Sequence, residues 1–212
     1  VQGVPLHPFA VIEHPIASAD DVGIDENIQA SFTEPYFLNR EISAGFDLFN
    51  TNYQFIESSF ERDVLGFGFR FGYPLTEYLS QQIRYGLKNE KVLPFVGNTT
   101  TSSSKSLVSS VGQTSFYNKL DHRLNPSEGY FFRVSNDLAG FGGDREWFRT
   151  KLEAGQYEQL WFEWIGSLVG EVGYITPLGG QQVVILDRFF LGGQNFRGFQ
   201  RAGVGPRDLL SG

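Results

Sequence analysis

Several groupings in this chain have the residue types that chemistry uses. Asp121 and His122 are adjacent, as an acid and the imidazole it orients are in hydrolytic sites. Such a site also needs a nucleophile, and no Gly-x-Ser-x-Gly elbow exists to present one. Gly66, Gly68 and Gly72 superficially suggest a phosphate-cradling dinucleotide loop. Their period of two and the missing helix make them strand glycines instead. His7 and His14 have no third ligand in view, and the chain has no Cys, which excludes disulfides, thiol catalysis and Cys-ligated zinc. No catalytic residue, metal or cofactor is therefore expected.

What remains is Arg197 within Phe196-Arg197-Gly198-Phe199. A guanidinium is always charged and presents a planar fork, so a buried one must meet carboxylate or carbonyl partners. Gly198 lets the backbone turn sharply beside it. Four residues alone also fit an ordinary surface arginine, and the elements that would position them decide between the two.

Those elements are strands. The chain has 212 residues, Gly 25, 16% aromatics and a formal net charge of -7. High glycine and aromatic content with many short alternations predicts an all-β barrel in one domain. An acidic balance without a basic cluster excludes nucleic acid as a partner. No apolar run approaches the roughly 20 residues of a membrane helix, but barrel strands hide behind a period of two. Val1 opens no signal peptide, and the start without Met and the abrupt end at Gly212 suggest a piece of something longer. Residues Val1 to Val22 are uninformative.

From Ile24 the alternation begins: Ile24, Ile28, Ala30 and Phe32 oppose Asp25, Asn27, Gln29, Ser31 and Thr33. Seven further segments repeat it. Ile42 to Leu48 sets Asp47 against its apolar side, Leu65 to Phe71 sets Arg70, and Leu79 to Leu87 is opposed by Arg84 and Lys88. Leu107 to Tyr117 alternates weakly. Tyr130 to Leu138 carries Arg133, Ser135 and Asp137 on its polar side, and Phe148 to Ala154 carries Arg149, Lys151 and Glu153. Phe162, Trp164, Leu168, Val172 and Tyr174 share the last apolar face. Each segment is about the 9 to 11 residues of a tilted spanning strand. In lipid the apolar side faces out and the polar side lines a lumen.

Short turns are expected at Leu38 to Glu41, Pro74 to Glu77, Leu124 to Gly129 and Glu158 to Trp161. Longer or more polar links fall between them, as at Thr51 to Arg62 and Glu90 to Lys105. Outer-membrane barrels alternate short periplasmic turns with longer external loops in this way. Tyr36, Phe37, Tyr73, Tyr78, Tyr130, Tyr157 and Trp161 gather at the short ends as one interfacial girdle. The strand ending at Tyr174 runs away from a short turn, so the next segment starts outside. Asp187 and Arg188 interrupt Val183 to Leu191, which reads as the ascending arm of a long external loop and not as another spanning strand.

The residues from Asp187 to Asp208, with Phe196-Arg197-Gly198-Phe199 at the tip, resemble the conserved loop of the Omp85 superfamily of outer-membrane assembly barrels. Phe196 stands where that family more often has Val. Ser31-Phe32-Thr33-Glu34-Pro35-Tyr36-Phe37, Gly72-Tyr73-Pro74-Leu75-Thr76-Glu77-Tyr78 and Asp121 to Gly129 are similar to its strand-to-turn signatures. The resemblance covers roughly Gly23 to Gly212. It implies a partial antiparallel transmembrane barrel, about eight strands of some sixteen, with 1-22 uncertain, strands over 23-176 and a lumen-entering external loop over 177-212. It also implies that Arg197 holds the loop, supported by Gly192, Gly193, Gly205, Pro206, Arg207 and Asp208. The acidic partner of that arginine would lie in strands outside this chain, with Glu163 or Glu171 as substitutes.

The implied function is insertion of unfolded outer-membrane proteins into the bacterial outer membrane without ATP. The lipid bilayer, client barrels and periplasmic accessory lipoproteins would be its partners. In such an envelope the sequon Asn98-Thr99-Thr100 is idle. A related translocation barrel, serving two-partner secretion or autotransporters, is the alternative within the family. A passive porin or a soluble β-sandwich is the alternative outside it.

Overall fold

The computed structural model describes residues 9–13, 22–23, 27–55, 60–94, 104–122, 124–162, 164–180, 182–184, 187–189, 191 and 198–199. It forms two compact units, Val1–Gln181 and Gln182–Gly212. The first is one antiparallel sheet of ten strands: β1 (Phe9–Glu13), β2 (Val22–Gly23), β3 (Asn27–Glu34), β4 (Ser43–Phe55), β5 (Phe60–Pro74), β6 (Leu79–Pro94), β7 (Ser104–Leu120), β8 (Gly129–Ala139), β9 (Trp147–Trp161) and β10 (Trp164–Pro177). The path is β1-β3-β4-β5-β6-β7-β8-β9-β10, with β2 beside β4. From β3 onward every strand pairs with its chain neighbour, as expected of hairpins in series.

Four features differ from the sequence expectation. Phe9–Glu13 is a strand in the stretch that carried no signal; it pairs with β3 from Phe9↔Thr33 to Glu13↔Gln29. Strands β4 to β7 run 13 to 17 residues, beyond the span a bilayer requires. The fourth short turn lies after Trp161, not over Glu158 to Trp161. There Phe162 adopts φ 52 and takes the chain across, while the Gln159 side-chain amide donates to its carbonyl at 2.7 Å. Tyr157 leaves the outward girdle: it is opposite Gly129 and Ser167 and shares the parity of Glu153 and Gly155, the polar side.

The other turns close on polar groups. Glu34 accepts from the Tyr36 N–H, and Thr76 Oγ1 accepts from the Leu79 N–H at 3.1 Å. Asp121 accepts from the Ser127 hydroxyl and from the N–H groups of Ser127 and Glu128 at 2.9 and 3.1 Å. Those donors, the hydroxyl foremost, hold the Asp121 carboxyl well below the usual carboxylate range. Its oxygens serve the turn, so the Asp121-His122 pair is architecture.

In the second unit the Asp187 N–H donates to the Val184 carbonyl at 3.0 Å. The Arg188 guanidinium donates twice to the Val183 carbonyl. These bonds bring Asp187 and Arg188 back onto Val184 and Val183.

Candidate functional site

The sheet is the site, because its two faces are built for different surroundings. On β5 the outward residues are Leu65, Phe67, Phe69, Phe71 and Tyr73. Register aligns them with Leu48 and Phe46 on β4 and with Leu87, Tyr85 and Ile83 on β6. The same face continues through Val111, Phe132, Val134, Phe148, Leu152, Leu168, Val172 and Tyr174. Many of these are large and open: Leu65 is 61% exposed, Val172 66% and Leu168 79%. A row of uncharged polar residues, Gln113, Asn136 and Thr150, crosses this face, but a water-facing surface does not carry so much exposed apolar area. Among the described residues, charged side chains reach this face only near strand ends. Asp63, Lys91 and Lys105 stand at the long-link end, and Glu34, Lys119 and Glu158 at the short-turn end. Leu65 to Tyr73 rises about 26 Å at ~3.3 Å per residue, which matches the roughly 25 Å apolar band of an outer-membrane barrel.

Rings close the short-turn end of that band. Tyr78, Tyr117 and Tyr130 form a chain with centroids 6.2 and 5.9 Å apart, and Phe37 meets Phe71 edge-on. Tyr117 joins the girdle because cross-strand pairing brings it opposite Leu79 and Phe132.

The inward face is a lattice of ion pairs laid over glycines. Arg70 lies across Gly45, reaching Asp47 at 2.9 Å and Thr33 at 2.8 Å, with Ser31 at 3.3 Å. An added Cβ on Gly45 would stand 2.9 Å from Arg70 Nε and 2.8 Å from the Phe32 carbonyl. Arg84 crosses Gly112 likewise, donating to Thr114 at 2.8 Å and to Asp137 at 2.5 Å. Asp137 also takes Arg149 at 3.1 Å, Arg133 pairs with Glu153 at 2.8 Å, and Lys151 pairs with Glu171 at 2.9 Å. Arg70 and Arg84 are register partners, a like-charge opposition that each relieves through its own aspartate.

At the long-link end of this face lies a denser node. Glu90 is fully buried and receives Arg62 at 2.5 Å, Lys88 at 2.6 Å and Arg145 at 2.7 Å. Arg145, from the β8–β9 connection, also donates to Ser106 at 2.7 Å. The connection is fixed by reciprocal bonds: the Asp144 N–H to the Leu107 carbonyl, and the Leu107 N–H to Asp144 Oδ2. Beside it Val108, Ala139 and Trp147 form a small buried cluster with Ile175 against it, and the Arg149 guanidinium stands 4.8 Å over the Trp147 ring.

The alternation placed Asp47, Arg70, Arg84, Lys88, Arg133, Asp137, Arg149, Lys151 and Glu153 on the polar side, and the structure joins them there. It did not find Glu90 or Arg145. Continuing the parity of Lys88 by two residues would have found Glu90. Of the loop motif, Gly198 adopts φ 90, where glycine is favoured, and Phe199 is about half exposed. Phe196, Arg197, Gly192, Gly193, Gly205, Pro206, Arg207, Asp208 and Glu163 lie outside the described residues. Glu171 is engaged by Lys151.

Comparison with known proteins agrees with this arrangement. The family model described as the Omp85 superfamily domain matches residues 18–212. The chain is 28% identical over 207 residues to the outer membrane protein assembly factor BamA of Neorickettsia risticii, covering 95% of this chain and 28% of that protein. It is 28% identical over 193 residues to the human sorting and assembly machinery component 50 homolog, covering 86% of this chain and 40% of that one. The fold is similar to the crystal structure of BamA from Haemophilus ducreyi lacking POTRA domains 1-3, with a TM-score of 0.76 at 23% identity, over 88% of this chain and 39% of that chain. The chain thus spans well under half the length of these relatives.

Proposed function

This chain belongs to the Omp85 superfamily, and from that premise we propose that it is the strand-bearing part of an assembly barrel in the bacterial outer membrane. The whole protein folds and inserts other β-barrels there without ATP. Its partners are the lipid bilayer, unfolded outer-membrane clients and periplasmic accessory lipoproteins.

One observation carries the reading: the bacterial and the human relative, each 28% identical to this chain, are both named for assembly. The geometry is in keeping. A charge-free apolar outer band suits lipid, and a braced polar inner face suits a lumen. No bond is made or broken in such work, so the residues act by holding shape. In this reading Arg197, at the tip of 177-212, keeps the loop in its working conformation, with Gly198 supplying the turn.

The test is complementation. In cells depleted of their own assembly barrel, the full-length protein carrying this segment should restore porins to the outer membrane. The Arg197→Ala variant should restore fewer at nearly unchanged expression. Correct insertion of the full-length protein without porin recovery would instead assign it to the translocation barrels of the same family.

A further inference from the structure

The middle of the outward face carries groups that lipid does not suit. Gln113 on β7, Asn136 on β8 and Thr150 on β9 are register neighbours on the side that bears Val111, Val134 and Leu152. Gln113 is exposed and Asn136 half-buried. Gln113 lies four residues from Tyr117 and Asn136 six from Tyr130, both rings of the short-turn girdle. At ~3.3 Å per residue and a tilt of about 40°, the amides stand roughly 10 to 15 Å above that girdle, in the middle of a band about 25 Å tall.

Part of their hydrogen bonding is met within the row and beside it. The Thr150 hydroxyl donates to Asn136 Oδ1 at 3.0 Å. The Gln113 amide reaches the Ser115 hydroxyl at 3.5 Å, which donates in turn to Gln81 Oε1 at 2.9 Å. Two groups at the centre are left over. Among the described residues, Asn136 Nδ2 has no acceptor and Gln113 Oε1 has no donor, although the two residues stand directly opposite in register. Water would solvate such groups, and the bilayer core offers nothing in exchange.

A second copy satisfies both. Copies in one membrane share its normal, so a two-fold axis along that normal sets β7 of each against β8 of the other. Register partners on adjacent strands differ by only about 3 Å in depth at this tilt, so the Asn136 donor of each copy meets the Gln113 acceptor of the other. The bonding is reciprocal and needs no charge. A different barrel would have to offer the same donor and acceptor at the same depth and spacing. The surface is also low enough to approach: Val111, Ser115 and Val134 surround the amides, where β5 has Phe67, Phe69 and Phe71. Short side chains let backbones come close in a membrane, and polar ones then join them.

We propose that the lipid-facing side of β7 and β8 is the contact through which two copies of the protein pair within the membrane, Asn136 of each donating to Gln113 of the other. The proposal rests on the membrane reading above, and its test separates the two. Two populations of the full-length protein, each with a single cysteine, Ser115→Cys in one and Val134→Cys in the other, are mixed and reconstituted at high dilution in phosphatidylcholine vesicles. Ser115 and Val134 are register partners in the next outward row, so the same axis sets one against the other across the contact. Copper phenanthroline, a membrane-permeant oxidant, joins cysteines that meet, and a Leu65→Cys protein reports chance encounters on the same band.

Pairing predicts about fivefold more joined protein than the Leu65→Cys control. The excess should vanish in a Gln113→Leu/Asn136→Leu background. It should return with Gln113→Asn/Asn136→Gln, which keeps a donor and an acceptor in the same row. Joining at the control level, in protein that floats with its vesicles, overturns the contact alone. An excess that survives both leucines overturns it too, because the amides then do not make the contact. Joining in native outer membranes to a protein of another size, with none between the two populations, overturns the second copy in favour of a different barrel. Protein that fails to float with its vesicles overturns the membrane reading and the contact together.

Discussion

The two faces of this sheet obey opposite rules within the same strands. Outward, β5 repeats Leu65, Phe67, Phe69 and Phe71 with no charged partner, Leu65 alone standing between the uncharged Asn50 and Asn89, and its stability depends on having no water beside it. Inward, the same strand offers Arg62 and Arg70, each held by named oxygens from neighbouring strands. The outer face is tolerant of which apolar residue stands where, because lipid has no fixed shape. The inner face is intolerant, because Arg70 and Arg84 each have one place to lie and the glycine beneath each keeps that place open. Specificity in this chain lives on the polar side.

Substitutions can break that contrast. The largest effect is expected at Glu90: Glu90→Ala would leave Arg62, Lys88 and Arg145 around an empty centre, at a cost of about 3–5 kcal/mol. Urea unfolding of the full-length protein in lipid vesicles measures it, and an unchanged midpoint would show that the node is not structural. Next is charge placed on either face. Phe69→Arg, in the middle of the outward band, should cost about 2–4 kcal/mol, while Gln82→Arg, on the exposed inner side, should stay within about 0.5 kcal/mol. Equal costs would remove the distinction between the faces.

Gly112→Val sharpens the inner rule. Its Cβ would stand 2.5 Å from Arg84 Nε and against the Asp137 carboxylate, and the expected loss is about 1–3 kcal/mol. The smallest effect is at Asp121. Its folded pKa is depressed, so its contribution is present above the ordinary aspartate pKa of about 3.9 and is lost as pH falls through the folded value. Below pH 4 the parent should lose stability that Asp121→Asn never had, so the two unfolding midpoints should converge under acid.

Much of this was legible in the sequence because the strands alternate cleanly. Leu65 to Phe71 with interleaved glycines and Arg70 admits one pairing of faces, and a one-residue slip would bury the arginine in lipid. β7 was harder. Ser106, Ser110 and Thr114 on one side and Ser109, Gln113 and Ser115 on the other differ too little for a period of two to stand out. β1 gave no signal because five residues between prolines are too short to show a period, and its partner β3 is what makes it a strand. Arg145 was invisible for another reason. It lies in a connection, where no periodicity applies, and only the Asp144–Leu107 bonds aim it at Glu90. The loop motif was legible as a pattern, but what an arginine pairs with is a long-range fact that spacing does not encode.

The Arg84–Asp137 pair joins residues 53 positions apart, whereas Arg70 and Asp47 are 23 apart. A membrane crossing made one hairpin at a time would therefore neutralise Arg70 of β5 as soon as β4 and β5 met, while Arg62 would wait for Glu90 of β6. It would carry the guanidinium of β6 without a carboxylate until β8 arrived, with only the Thr114 hydroxyl of β7 to meet it. Strands β6 to β8 are thus bound to enter as one cooperative block, and the order in which this barrel is itself assembled is written into the length of its ion pairs.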